Sequence, residues 1–301
     1  MKKIILINPF NNKELKKRNN LVIDNDGNTF DCLNEIPRIN SFKNYTENFG
    51  YQWNKFPETQ IMKQNYEDGM DISSIRLFKQ TNWQKKELRN VNILEAGSGA
   101  GRFSKVILEE TNANLYSFDS SNAVDANKYN NNFYFNKNFF LTQSDIENIP
   151  YPDNSFDKVI CFGVLQHTKN FLSSLDYLIN KLKPGGEIII DFYPINGFWT
   201  KISAKYFLRP ILKRLPNRLL IQLIEISANV FINLYFILLK FNLHILTRFL
   251  PICDIKNAIP NNLAKDKLRE WVILDTFDMF SPKYDNPQKI EKVREFMSKN
   301  N

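Results

Sequence analysis

Between residues 91 and 194, short apolar runs alternate with stretches of helical periodicity. The runs 91–96, 115–119, 139–143, 158–162 and 187–192 read as strands, and 102–110 and 171–182 as helices. That alternation predicts parallel strands with helices packed on both faces of the sheet. In such sheets a ligand sits at the carboxyl ends of the strands, where strand order reverses. Residues 1–40 read as a small β-rich flap. Within it 4–7 and 21–23 are short apolar strands, and Asp26-Gly27-Asn28 is a turn signal ahead of Thr29 and Phe30. Residues 41–90 are aromatic and polar, a leader of loops and helices. Residues 195–265 contain a long apolar helical stretch, and 266–301 a short segment around 271–284 and a last helix over 287–299. The fold class expected is α/β, a three-layer sandwich with a mainly parallel sheet, an N-terminal flap and a helical insertion.

At 301 residues the chain can hold one catalytic domain of roughly 150–200 residues plus extensions. Its net charge of +8 is concentrated in one place. Residues 198–248 carry Lys201, Lys205, Arg209, Lys213, Arg214, Arg218, Lys240 and Arg248 against a single acid, Glu225. A local excess of that kind asks for a local explanation. Cys32, Cys161 and Cys253 are far apart, which excludes a disulfide framework or a cysteine-based metal site. The apolar run 4–7 is too short for the core of a signal peptide, so a cytoplasmic protein is expected.

The candidate chemistry centres on Leu94-Glu95-Ala96-Gly97-Ser98-Gly99-Ala100-Gly101-Arg102, a strand running through a glycine turn into a helix. Glycines permit positive φ and close approach of a ligand to backbone, and the helix start offers free N–H groups. Asp119 ends the next strand, roughly 20 residues on, and suits two hydrogen bonds to ribose hydroxyls. Asp145 follows the third strand, placed to accept from an adenine amino group, with Ile146 against the ring. Phe156-Asp157-Lys158-Val159 opens a fourth strand that leaves through Phe162-Gly163 to Leu165-Gln166-His167. Lys183-Pro184-Gly185-Gly186 turns into the fifth.

Taken in order, E-x-G-x-G, acidic strand end, D-I, F-D-x-V, L-x-H and K-P-G-G resemble the Rossmann-like class I S-adenosylmethionine-dependent methyltransferases. They are especially similar to the type 11-like branch, with its many small-molecule and quinone-biosynthesis enzymes. The resemblance implies S-adenosylmethionine as cofactor. It implies contacts from Glu95, Ala96, Gly97, Ser98, Gly99, Gly101, Asp119, Ser120, Asp145, Ile146, Phe162 and Gly163. The leader from Tyr45 to Phe56, and the motif from Leu274 to Tyr284, resemble segments of bacterial methyltransferases whose acceptor is not known. The first forty residues resemble a zinc ribbon in which Asn8-Pro9-Phe10-Asn11 replaces the first cysteine knuckle, and Ile23 and Asp26 stand where the second pair would be. Without thiolates no metal is expected.

Methyl transfer needs alignment of the acceptor and exclusion of water, and a base only if the acceptor must lose a proton. His167 is the candidate base, its other reading being a structural or cofactor-side histidine. Asp191, Tyr193, Asp278 and Tyr284 could line an acceptor pocket or serve as strand-end and turn residues, and Arg102 reads as a helix-start contact. The acceptor expected is a small molecule, a saccharide or a lipid-linked compound. The rival reading is a weak or inactive methyltransferase-derived protein with a membrane-associated or scaffolding role.

For the insertion, three readings stand. Gln222, Glu225, Asn229, Asn233 and Lys240 form one polar stripe on an otherwise apolar helix, which argues against a membrane span. A helical lid over the acceptor pocket, or a surface docked on anionic lipid at the inner face of the membrane, fits better. Lys201, Lys205, Arg209 and Lys213, four apart, would add a basic row, with Pro210 interrupting its helix. The charge lies among aliphatic residues, which disfavours nucleic acid. No segment remains for the sixth and seventh strands that normally close such a sheet. An exposed edge would then need cover from a homodimer or the N-terminal flap.

Overall fold

The computed structural model describes residues 3–39, 45–61, 71–261 and 263–299, so residues 40–44 and 62–70 of the leader lie outside the described residues. The strands are β1 (Lys16–Arg18), β2 (Leu21–Ile23), β3 (Thr29–Leu33), β4 (Ile36–Arg38), β5 (Asn92–Ala96), β6 (Asn114–Asp119), β7 (Phe139–Gln143), β8 (Phe156–Cys161) and β9 (Leu182–Ile190). The helices are α1 (Glu47–Lys55), α2 (Ile72–Thr81), α3 (Arg102–Glu110), α4 (Ala123–Asn131), α5 (Phe171–Ile179), α6 (Ala204–Leu212), α7 (Asn217–Lys240), α8 (His244–Thr247), α9 (Ile255–Ala258), α10 (Lys265–Phe280) and α11 (Ile290–Lys299).

All nine strands form one sheet in the order β1-β2-β3-β4-β7-β6-β5-β8-β9. The five strands β7-β6-β5-β8-β9 are parallel. Every residue of β5 is buried, as a central strand covered on both faces must be. Its alternate side chains feed two cores. Ile93 joins Leu77 of α2 and Val106 and Ile107 of α3 on one face. Leu94 and Ala96 join Leu175 and Leu178 of α5 and Val293 of α11 on the other. This is the three-layer sandwich that the sequence pattern implies.

The flap extends the sheet at the β7 edge. Its antiparallel strands lead to β4, which pairs with β7 through Arg38 and Gln143. The buried Arg38 guanidinium donates to Gln143 Oε1 at 2.9 Å and to Asp125 Oδ1 at 2.6 Å. The flap therefore does not cover the β9 edge, where closing strands were expected to be absent. Among the described residues the sheet ends at β9, whose side chains are mostly only half-buried. Just past it, Gln288 exchanges backbone bonds with Tyr193 and Ile195. The Lys183-Pro184-Gly185-Gly186 turn is likewise absorbed into β9, at a register shift opposite Phe156 and Lys158.

Within the flap, Asp24 is the hub. Its carboxylate accepts from the side chains of Asn8 (2.7 Å), Asn11 (2.8 Å) and Asn28 (2.9 Å). It also accepts from the backbone N–H groups of Asp26 and Asn28. Of the two positions expected to replace a second cysteine pair, Asp26 borders this cluster through Asn11 and Lys13, and Ile23 lies in β2. Burial opposes the charge of Asp24, but the bonds from Asn28, Asn8 and Asn11 outweigh it and hold the carboxyl well below the usual range. A depressed folded value contributes stability that is complete above the unfolded value, about 3.9, and is lost as pH falls through the folded one. Asp24→Asn should therefore lower the melting temperature at pH 7. The gap to wild type should narrow in strong acid, a trend that melting curves across pH will read.

Candidate functional site

The chain runs from β5 outward to β7, then crosses back to place β8 on the other side of β5. The carboxyl ends of these strands open into a cleft of about 900 Å³. Its roof is α1, through Phe49, Gln52 and Trp53. Its far wall is α10, through Trp271, Leu274, Asp275 and Asp278.

The glycine turn forms the floor. Gly97 and Gly99 have φ of +69° and +52°, conformations L side chains rarely adopt. A side chain at Gly97 would collide with Val164 beyond β8, and one at Gly99 would press on the Trp53 indole at 3.1 Å. The turn is therefore squeezed between the exit of β8 and α1. Gly101 differs from the expectation: it does not line the cleft, and its free side is filled by Asn127 and Asn131 of α4. It serves helix packing.

Glu95, Asp119 and Asp145 all line this one cleft. Glu95 sits beneath the turn with its Oε2 receiving Ser104 and Ser117 hydroxyls at 2.5 and 2.6 Å. Burial pushes its pKa up to about 7 against those bonds. Asp119 takes Gly99 N–H at 2.9 Å on one oxygen, and the N–H and hydroxyl of Ser121 at 2.8 and 2.6 Å on the other. An ionised carboxylate offers about four acceptor positions, so about one remains for a ligand. That is fewer than the two ribose bonds expected from the sequence. Burial raises the Asp119 pKa. Asp145 is more open, reached by Ser120 at 3.3 Å and the Tyr45 hydroxyl at 3.4 Å. Ala96, Ser98, Ser120, Ile146, Phe162 and Gly163 also face the cleft.

At its other end His167, only 6% exposed, points Nδ1 at the Tyr284 carbonyl at 3.1 Å. Rings of Phe49 and Tyr193 flank it, with centroids 5.3 and 5.8 Å away. Tyr284 itself does not line the cleft; its ring packs edge-on against Tyr45. Asp191 does, but its carboxylate is engaged by Arg76 at 2.7 Å and by Gly163 N–H, which makes it a wall pin. Arg102 opens α3 as expected. It bonds Ser73 Oγ at 2.8 Å and lies 5.8 Å from the Trp271 ring.

Gln52 was not foreseen. It is fully buried in the cleft roof, and neither of its amide atoms has a hydrogen-bond partner among the described residues. Ser144 Oγ and His167 Nε2 share that condition and the same cleft. A buried polar atom left unpaired costs on the order of 1–3 kcal/mol, so four such atoms on three residues of one cleft point to a polar ligand or ordered water there. The signal for Gln52 was confined to its position in the aromatic leader, where nothing local distinguishes it.

The sheet order and the cleft at its reversal are those of a Rossmann-like α/β domain, the fold class that S-adenosylmethionine-dependent methyltransferases share. Residues 87–206, which hold β5 to β9, match the family described as "Methyltransferase domain", and this part of the chain is such a domain. A tRNA U34 carboxymethyltransferase of Nautilia profundicola is 31% identical over 144 residues, 43% of this chain and 46% of that protein. A ubiquinone/menaquinone biosynthesis C-methyltransferase of Pseudomonas paraeruginosa is 27% identical over 180 residues, 51% of this chain and 66% of that one. Among solved structures, a putative S-adenosylmethionine-dependent methyltransferase of Methanococcus maripaludis aligns with a TM-score of 0.39 at 18% identity, over 50% of this chain and 65% of that one. The chain thus spans less than half the length of the tRNA-directed relative.

Asp145 is the cleanest residue with which to test the cofactor half. A Gly97→Arg change would disturb folding through Val164, whereas Asp145→Ala leaves the glycine turn intact. It also removes the acceptor for Ser120, Tyr45 and the Glu147 N–H, so a loss of about 1 kcal/mol in stability is expected beside the binding effect. Binding of S-adenosylhomocysteine to the folded variant should weaken about tenfold, or ~1.4 kcal/mol, in titration calorimetry.

Proposed function

We propose that this chain transfers a methyl group from S-adenosylmethionine to an acceptor oxygen or nitrogen that carries a proton, with His167 as the base. The supporting observation is the His167 ring. A carbonyl oxygen only accepts, so Nδ1 must donate to Tyr284, and Nε2 then bears the lone pair. That lone pair is buried without a partner. Burial lowers the His167 pKa, although Asp278 and the Tyr284 carbonyl act the other way, so the ring is neutral at physiological pH.

The residues present fit the cofactor: a glycine floor, Asp119 with about one free acceptor position, an open Asp145, and the unpaired amide of Gln52. Bound there, S-adenosylmethionine supplies an electrophilic sulfonium methyl. The chain's own work is to hold the acceptor between His167 and the strand ends, to exclude water with α1 and α10, and to receive the acceptor's proton at Nε2. Loss of that proton to Nε2 would free the acceptor's electron pair for the methyl carbon that the cofactor supplies. The names of the relatives divide between tRNA and quinone-pathway acceptors. The rings of Phe49 and Tyr193 beside His167 suit a flat or apolar acceptor group.

His167→Ala should cut kcat about 100-fold or more while leaving affinity for S-adenosylhomocysteine within about twofold. Wild-type kcat should stay level through the ordinary histidine range, near pH ~6.5, and fall only at lower pH, because burial depresses the His167 pKa. Labelled-methyl transfer to a panel of phenols, alcohols and amines measures both. Transfer at the wild-type rate by His167→Ala would remove the base assignment. Failure to bind S-adenosylhomocysteine would remove the whole reading.

A further inference from the structure

Of the 26 large apolar side chains exposed among the described residues, 17 fall within residues 198–249. Helix α7 explains the concentration, because it has three faces rather than two. Leu220, Ile224, Ala228, Ile232 and Tyr235 are buried in a cluster shared with Trp271 and Phe277 of α10. Gln222, Glu225, Asn229 and Asn233 form the polar face. Leu219, Leu223, Ile226, Val230, Ile237 and Phe241 recur at helical spacing and face solvent, with Ile226 80% and Val230 65% exposed. A helix already packed on one side gains nothing in water from a second apolar stripe, which costs about 25 cal/mol per Å² kept wet. Phe198, Trp199, Phe207, Ile211, Ile245 and Phe249 enlarge the exposed surface.

The surrounding charge says what covers it. Lys201, Lys213, Arg214, Arg218 and Lys240 are exposed and enter no ion pair among the described residues. The only acid of the region, Glu225, is held by Lys55 at 2.8 Å. The expected basic row is split: Lys205 turns inward to Asp285 at 2.8 Å, and Arg209 is buried against the Pro282 carbonyl, with α6 continuing through Pro210. The remaining free cations border the apolar surface. A second copy of this chain would bring like charge against like charge. A bilayer span would tear the buried face of α7 from α10, although by length and composition the helix could cross. Apolar side chains among unpaired cations match an anionic lipid surface.

We propose that α6, α7 and α8 dock in the plane of an anionic phospholipid bilayer, with Ile226 and Val230 among the inserted residues. The surface is one helix from the cleft: α10 packs on α7 with one side and lines the cleft with another, and Cys253, Asp254 and residues 257–260, next along the chain, line it too.

Flotation of the full chain with vesicles tests this. With phosphatidylcholine containing about 30% phosphatidylglycerol at low salt, the protein should float, and about tenfold more than with pure phosphatidylcholine. Ile226→Glu with Val230→Glu should reduce flotation about tenfold with an unchanged melting curve, since both side chains lie in solvent. Lys213→Ser with Arg214→Ser and Arg218→Ser should lower binding and flatten its dependence on salt. Absence of flotation, equal binding to neutral vesicles, or a wild-type dimer that Ile226→Glu with Val230→Glu turns into a monomer would each overturn the proposal.

Discussion

Everything in this fold follows from one crossing. After β7 the chain must return over the sheet to lay β8 against the opposite side of β5, and no connection can cover the strand ends where the two halves part. The crevice left there is lined largely by apolar side chains, with the polar groups of the strand ends set among them. Gly97 and Gly99 keep its floor thin, and Trp53 of α1 closes over them. The carboxylates of Glu95, Asp119 and Asp145 converge because each belongs to the end of one strand, or just follows it, in the same parallel set.

The polar groups of the cleft fall into two sets. The carboxylates at the strand ends are already paired: Glu95 with two serines, and Asp119 with Gly99 and Ser121. Such groups are preorganised and keep little capacity for a ligand. Around them the protein leaves other groups without a partner among the described residues, in Gln52 of the roof, in Ser144 after β7 and in Nε2 of His167. Burial also pushes the Asp275 carboxyl up, beside Asp278 and against Arg102. Buried polar groups that the protein itself does not pair are completed by what the cleft binds.

The core was legible because buried parallel strands read as plain apolar runs. β5 to β8 lie within two residues of their expected limits, and α3 matches at both ends. Other elements were silent for physical reasons. β1 is Lys-Lys-Arg, fully exposed, and carries no apolar signal. β4 is three residues long and contains Pro37. Of the expected strand at 4–7, only Ile7 forms a bridge, to Glu14. α10 was read as a short segment because Trp271, Val272, Ile273, Leu274, Thr276 and Phe277 bury nearly every side of it, erasing the period that marks a helix with one wet face. Gln52 and Ser144 could not be singled out, since only the closed fold shows that they lack partners.

The same helix that hid from the sequence joins the two surfaces that matter most. α10 can be buried almost all round only because α7 covers its back while the cleft takes part of its front. α7 in turn spends one apolar face on α10 and has a second to spare. From the insertion, Lys205 and the segment around Cys253 and Ile259 reach the cleft, but no residue of α7 does. The expected lid is therefore not α7 itself: its buried face braces α10, and α10 is the wall of the cleft. Its second apolar face packs on nothing among the described residues, and this is the face proposed to meet lipid.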